Sequence, residues 1–360
     1  MSFLKSRIET ILKQLPDGID AVLITSGVHR QYFTGFQSSA GTLLMVKNAG
    51  AYFIIDFRYY EKARAVIRDC EVILQEKLSA QLSELIKRHS IRNIVIESEY
   101  MTVSELSRFR ELLPDASFIS DKQIDDAIRR MRMIKSPEEL ASIRAAQEIT
   151  DGAFQHICGY IHPGMTEKEI ACELLDYTNR HGSERPSFEF IVVSGANSSM
   201  PHGVPTGKAV EPGDFITMDF GCVVDGYCSD MTRTVAVKAV TDKQKLIYDT
   251  VLKAQLAAIQ AIKAGIPCKD VDTAARNIIA DAGYGDCFGH STGHSVGLEI
   301  HEKPAFSISD KTICEPGMVI TVEPGIYIEG QFGVRIEDMA LITESGCSLL
   351  TGSPKQLMVV

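Results

Sequence analysis

Five residues with metal-ligand chemistry stand in three separated segments of this chain. They are Asp219 and Asp230 in MDFGCVVDGYCSDMTRT, His294 in GHSTGHSVG, and Glu323 and Glu337 in VEPGIYIEGQFGVRIED. Each carboxylate lies in a stretch that reads as a β-strand, and an acid on the core face of a strand is costly unless it is paired or coordinated to a metal. A fold that accepts this sequence must therefore gather these acids around positive charge. Four carboxylates and one imidazole suit a pair of divalent cations.

Turn geometry predicts how the acids meet. A hairpin centred on Gly330, in the turn-like Glu329-Gly330-Gln331, sets Glu323 opposite Glu337. A second hairpin, centred between Val224 and Asp225 beside the Asp225-Gly226 turn signal, sets Asp219 nearly opposite Asp230. Two hairpins thus present four carboxylates.

At 360 residues, with 45% hydrophobic and 23% charged, the chain has room for two domains and a sizeable core. Its formal net charge of −10 argues against a general nucleic-acid or anionic-membrane surface. Nine cysteines without a C-x-x-C pair point to a reduced, cytoplasmic protein. The N-terminal MSFLKSRIETILKQL carries Phe3, Leu4, Ile8, Ile11, Leu12 and Leu15 at helical spacing broken by charges, which predicts a surface helix rather than a signal peptide. No apolar run is long enough to span a membrane.

The expected fold class is α/β (α+β) in two domains. Up to residue 125, short β-rich runs (AVLIT, TLLMV, AYFII, CEVIL, NIVIE) alternate with helical stretches such as TVSELSRFRELL, which predicts an α/β domain over 1–125. A second domain is expected over 126–360. Ser136, Pro137 and Glu139 form a capping-box sequence with proline at the first helical position. Within the second domain a faint repeat sets Gly164, Lys168, Glu169 and Ile170 against Gly265, Lys269, Asp270 and Val271. Each half reads as a long helix from Ser136 or Thr241, a second helix ending near Gly182 or Gly283, and a β-rich stretch with one acid-bearing hairpin. Two such halves would face each other across a shared cleft.

The histidines need separate treatment. The interior Gly293 and the missing glutamate set H-S-T-G-H apart from a helical zinc motif and place His294 on a strand or loop. His294 is read as a ligand, and His290 either as a residue that braces one or as a purely structural histidine. By strict alternation His301 falls on the opposite strand face unless a bulge intervenes, and its local pattern is that of a surface residue. His202, in PHGVP, also reads simply as part of a proline- and glycine-rich loop.

Taken in order, PHGVP, MDFG…YCSDMTRT, GHSTGHSVGLEIHE, TVEPGIY and GVRIED resemble the signature of the metal-dependent proline-peptide peptidases. This family includes aminopeptidase P and prolidase and shares its fold with methionine aminopeptidase. The resemblance implies a pseudo-two-fold pita-bread catalytic domain. HRQYFTGF and FIIDFRYYEKA are similar to the creatinase-type N-terminal domain of aminopeptidase P and prolidase, which covers the cleft and mediates dimerisation in the family; a homodimer is therefore expected. Asp56, Arg58 and Tyr59 in that stretch read as structural or interface-forming.

Position by position, the resemblance implies that Asp219 holds one metal, that Asp230 and Glu337 bridge both, and that His294 and Glu323 complete the other shell. A hydroxide between the two cations would attack the peptide bond. Glu323 would carry the proton to the leaving nitrogen, and His301 and His202 would polarise the carbonyl. Arg335 would orient a ligating carboxylate. The oxygen-rich set suits Mn²⁺, with Co²⁺ or Zn²⁺ as alternatives. The expected substrate is a peptide with proline second. Ala305, where dipeptide-cleaving members often carry a basic residue, favours an aminopeptidase over an Xaa-Pro dipeptidase. A metal-free creatinase-like hydrolase and a non-catalytic binding protein are the other classes, and the complete ligand set argues against both.

Overall fold

The computed structural model describes residues 3–360, which divide into two compact units on either side of the Arg132–Met133 bond. In the first, the apolar runs form a six-stranded sheet in the order β4-β3-β2-β1-β5-β6: β1 (Ala21–Ile24), β2 (Thr42–Val46), β3 (Gly50–Ile55), β4 (Glu71–Leu74), β5 (Asn93–Ile96) and β6 (Ser117–Ile119). The β1–β2 and β2–β3 ladders are antiparallel and the other three parallel. Burial on both faces explains why β1, β2 and most of β5 are uninterrupted apolar runs rather than alternating ones.

Six helices accompany the sheet: α1 (Phe3–Lys13), α2 (Gly27–Thr34), α3 (Phe57–Val66), α4 (Leu78–Arg88), α5 (Val103–Leu112) and α6 (Gln123–Met133). Asp56 caps α3, its carboxylate accepting from the Arg58 amide. Because α6 runs through residues 123–133 without a break, the division between the units falls after Arg132, further along than the 125/126 boundary expected from composition.

The second unit opens with α7 (Pro137–Tyr160), nucleated by the capping box read from the sequence: Ser136 Oγ accepts from the Glu139 amide and Glu139 returns the bond to the Ser136 amide. Next come α8 (Glu167–Arg180) and four strands, β7 (Ile191–Ser194), β8 (Phe215–Phe220), β9 (Val223–Val224) and β10 (Tyr227–Cys228), and then β11 (Met231–Ala236). The pattern then recurs with α9 (Asp242–Ala261), α10 (Cys268–Asp281) and β12 (Gly293–Ser295), β13 (Glu302–Phe306), β14 (Val319–Val322), β15 (Gly325–Ile328), β16 (Phe332–Arg335), β17 (Asp338–Ile342) and β18 (Cys347–Leu349). Every ladder between these strands is antiparallel, in sheets ordered β11-β8-β7 and β13-β12-β14-β17-β18 plus the β9–β10 and β15–β16 ribbons.

Each half carries its own core. Phe154 and Ile157 of α7 and Ile170 and Leu174 of α8 pack on Val192, Ile216 and Met218 of the three-stranded sheet. Ile247 and Val251 of α9 and Val271 and Ile279 of α10 share a core with Ile320, Val322 and Ala340 of the five-stranded sheet. Each of these larger aliphatic and aromatic side chains contributes about 1.5–3 kcal/mol on burial. The two halves meet where the edge strand β11 touches the β16–β17 segment, the Glu337 amide donating to Thr232 O and Thr234 Oγ1 to Arg335 O. Among the described residues no helix is long and apolar enough to cross a membrane.

Candidate metal centre

The acids gather at the seam between the two halves. Glu323 follows the last residue of β14 and Glu337 lies between β16 and β17. The β14–β17 pairs (Val322↔Asp338) and the β15–β16 pairs (Gly325↔Arg335) share one register, turning at Gly330, whose φ of 67° suits glycine. In that register Glu323 faces Glu337, as the turn geometry predicts.

The other hairpin differs from expectation. Asp225 and Gly226 both adopt positive φ, 50° and 82°, so the turn is a tight two-residue one and Val224 pairs with Tyr227. Asp219 therefore faces Thr232 rather than Asp230. Asp230 is displaced by two residues along the facing strand, which leaves both carboxylates on one face. The hairpin stays this tight because position 221 is glycine: a Cβ there would stand 1.9 Å from Ser229 O.

His294 sits on β12, behind another enforced glycine. A Cβ on Gly293 would meet Thr321 O at 1.8 Å. The imidazole Nδ1 is 3.2 Å from Ser295 O and donates to it, which leaves the Nε2 lone pair pointing at Asp230 Oδ2 (3.5 Å) and Glu323 Oε1 (3.4 Å). One donor atom from each of Asp230, His294 and Glu337 lies within 4.8 Å of the others. Glu337 accepts from Thr232 Oγ1 at 2.6 Å, and Asp219 Oδ2 accepts from Arg335 Nη2 at 2.7 Å. Asp219 Oδ1 is buried without a hydrogen-bond partner.

These observations test whether divalent cations fit. Burial and repulsion from Glu337, Asp219 and Glu323 push the Asp230 carboxyl well above its ordinary range, and burial with repulsion from Glu323 and Asp219 does the same to Glu337. Glu323 is raised chiefly by burial, with His290 and Arg335 opposing. Burial holds His294 below its ordinary value, hence neutral. Lone pairs converging on one point, an orphaned carboxylate oxygen and a shortage of positive charge are what a cation site looks like to its ligands. The donors fit the group.

Behind these residues runs a chain of hydrogen bonds through Arg335 and His290 whose middle member, Tyr327, the sequence did not point to. Arg335 Nη1 donates to Tyr327 Oη at 2.8 Å, and Tyr327 donates to His290 Nε2 at 2.9 Å, because His290 Nδ1 is committed to Ser291 O. Burial would lower the Arg335 pKa, but Tyr327, Asp219 and Glu323 raise it far above its ordinary value, while burial pushes Tyr327 up to about 12. The available signal was the period-two spacing of Tyr327 from Glu323 and Gly325 in VEPGIY.

His301 and His202 are both exposed, and both line the same cavity of about 480 Å³ as the five ligand-type residues. His301 does not lie on an opposite face. The β12–β13 register shifts between His294 and Ser295, and His301 belongs to the loop before β13, so alternation breaks and its ring stands edge-on to His294 with centroids 4.3 Å apart. Partial burial of the ring against the cavity wall and the neighbouring His294 hold its pKa down. Ala305 lies opposite His294 on β13.

Arg233 is 1% exposed and supports the site from behind. It donates to Asp338, to the carbonyls of Glu337 and Thr232, and to those of Ser353 and Pro354. Burial would raise the Asp338 pKa, but Arg233 and Lys355 hold it below the usual carboxylate range. Arg233→Met is expected to cost about 3–5 kcal/mol, since it leaves a buried carboxylate and several carbonyls short of donors. Denaturant midpoints measure this, and the cost should shrink at acid pH, where Asp338 can take up a proton instead. A variant as stable as the parent at neutral pH would contradict the assignment.

A mixed-sheet first unit followed by a pseudo-symmetric second unit with an acid-rich seam defines the class of two-domain metallopeptidases with the pita-bread fold. Residues 141–344 match metallopeptidase family M24, and residues 7–134 match the creatinase/prolidase N-terminal domain; the chain belongs to this family. It is 38% identical over 362 residues to an Xaa-Pro dipeptidase of Pyrococcus horikoshii, covering 99% of this chain and 100% of that one. Among solved structures it resembles an Xaa-Pro dipeptidase from Bacillus anthracis (40% identity, TM-score 0.94, 99% and 100% coverage). It also resembles an X-Pro aminopeptidase from Thermotoga maritima (38% identity, TM-score 0.91, 95% and 98% coverage).

Proposed function

We propose that this metallopeptidase is an exopeptidase that removes the N-terminal residue from peptides with proline in second position, using two divalent cations. The observation that carries the reading is the convergence of Asp219, Asp230, His294, Glu323 and Glu337, with Asp219 Oδ1 left unpartnered, on one cavity. Asp219 would hold one ion, Asp230 and Glu337 would be shared, and His294 and Glu323 would complete the second. The oxygen-rich set suits Mn²⁺, with Co²⁺ or Zn²⁺ as alternatives. Bound ions supply Lewis acidity and lower the pKa of water.

The chain's own side chains do the rest. Glu323, whose proton affinity is raised by burial, accepts the proton released when water attacks and delivers it to the leaving proline nitrogen. His202 and His301 donate to the scissile carbonyl oxygen as negative charge develops there. Arg335, fixed by Tyr327, Thr232 and Pro201 O, holds Asp219 in place, and His290 steadies Tyr327. The reading includes a cytoplasmic homodimer.

Peptide length follows from charge. A dipeptide brings its C-terminal carboxylate close to the scissile bond, and Arg335 is the only arginine or lysine among the described residues lining the cavity, with its guanidinium already engaged. This favours an aminopeptidase. The Xaa-Pro dipeptidase names of the two relatives above favour the second reading, in which His202 or His301 binds the carboxylate.

Hydrolysis of Xaa-Pro dipeptides against Xaa-Pro-Yaa and longer peptides, by metal-stripped protein with and without Mn²⁺, separates the two. Metal-dependent release of the first residue mainly from the longer peptides is the expected result. Activity confined to dipeptides would establish the second reading, and no activity with any metal would remove both.

A further inference from the structure

A glutamate in the first turn of a helix ordinarily points to water, favoured there by the helix dipole. Glu167, the first residue of α8, is instead fully buried, at 0% exposure. A buried carboxylate must be satisfied by donors, and Glu167 has them from three residues. Its Oε1 accepts from the Ser194 amide (2.6 Å), Ser194 Oγ (3.0 Å) and Asn197 Nδ2 (3.1 Å). Its Oε2 accepts from the Thr206 amide (2.9 Å), Thr206 Oγ1 (2.6 Å) and Asn197 Nδ2 (3.3 Å). Burial alone would raise its pKa, but these bonds lower it, so the group is an anion.

Ser194 and Thr206 are the two ends of one excursion, residues 195–205, and His202 lies within it. One carboxylate therefore closes this loop at both ends. Inside it, Gly203 packs so closely that a Cβ would meet Val193 Cγ1 at 2.7 Å, the Gly333 amide donates to Ser198 Oγ at 2.9 Å, and Arg335 Nη1 reaches Pro201 O at 3.2 Å. Those contacts fix the middle of the loop, whereas Glu167 fixes its two ends. None of the donors to Glu167 is one of the five ligand-type residues, so the clamp is separable from the metal centre.

We infer that Glu167 is a positioning residue for His202, holding the 195–205 loop so that the imidazole stands over the scissile carbonyl; this rests on the role proposed above for His202. A loop residue cannot polarise a transition state unless its position is determined, and a displacement of about 1 Å at such a group can cost 100-fold in rate. Glu167 provides that determination from the far side of the loop without touching substrate.

The test is a double-mutant cycle with a structural readout. His202→Ala is expected to lower kcat about 100-fold. Glu167→Gln, which keeps the shape but turns an amide donor on groups that are themselves donors, is expected to lower kcat about 10-fold. Introduced into His202→Ala, Glu167→Gln should have no further effect on kcat, since the clamp acts through the imidazole. Thr206→Val, which removes one hydroxyl donor, should act in the same direction but less.

In metal-free Glu167→Gln protein, amide deuterium exchange over residues 194–206 should accelerate, and Mn²⁺ content after loading should match the parent. The inference is overturned if Glu167→Gln slows His202→Ala as much as it slows the parent, or if exchange in this segment is unchanged. A fully active His202→Ala enzyme with accelerated exchange in Glu167→Gln would remove the role of His202 instead, leaving a clamp on a loop without catalytic consequence.

Discussion

Asp230→Ala and Glu323→Ala proteins are expected to fold and to hydrolyse no Xaa-Pro peptide at a measurable rate. For Glu323 two losses coincide: a donor 3.4 Å from His294 Nε2 disappears, and so does the group proposed to carry the proton from water to the leaving nitrogen. The second alone is worth about 10²–10⁴-fold. Asp230 is 3% exposed and lies against His294 and Glu337, so its removal takes a donor from the middle of the cluster. The fold survives because neither side chain supports the apolar cores, and taking one anion from a crowded group of buried acids relieves repulsion in the metal-free protein. Circular dichroism with peptide-release assays at saturating Mn²⁺ would check both halves of this expectation. A rate within tenfold of the parent for either variant would end the proposed mechanism.

Metal should also govern stability, and the stability of the metal-free protein should depend on pH. Asp230 and Glu337 have pKa values raised in the folded protein, by burial first and by neighbouring carboxylates second. Between the unfolded and folded values the folded state holds more protons, so the metal-free protein loses stability as pH climbs above the ordinary carboxylate value, and the loss is complete once the folded values are passed.

Glu337→Gln, which keeps an acceptor for Thr232 Oγ1 but carries no charge, should therefore unfold at a higher temperature than the metal-free parent at pH 8. The gap should narrow towards pH 4. Mn²⁺ at 100 times its dissociation constant contributes about 2.7 kcal/mol. For a unit of this size that is roughly 5–10 °C in the parent, and less in Glu337→Gln. Thermal melts at pH 4, 6 and 8 with and without Mn²⁺ measure all of this; a metal-free Glu337→Gln protein less stable than the parent at pH 8 would show that the acids do not repel one another as described.

Features set by local chemistry were legible in the sequence. The Ser136–Glu139 capping box, the Gly330-centred hairpin and the repeated helix-helix-strand order all follow from residues close together in the chain, where a cap, a left-handed glycine or a period of two leaves a direct trace. The register of the Asp219 hairpin was harder to read, because it depends on both Asp225 and Gly226 turning left-handed, and a single residue pair decides which side chains face each other. His301 escaped strict alternation through a register shift that no residue type announces. Tyr327 left only its period-two spacing from Glu323, and Thr232, Arg233 and Glu167 were not visible at all. Their partners stand many residues away, so their importance lies in tertiary hydrogen bonds rather than in any local pattern.

The seam between the two halves has a consequence for how the protein comes into being. Asp219 and Asp230 are translated about a hundred residues before Glu337, and Glu337 is tied to Thr232 across that interval. Loop-closure entropy over such a span must be overcome before the last carboxylate arrives. A nascent chain that has released only its first hairpin therefore offers a cation two isolated acids without the imidazole of His294. On the proposed ligand set, metal acquisition is expected to be a late event, following the docking of the second half on the first.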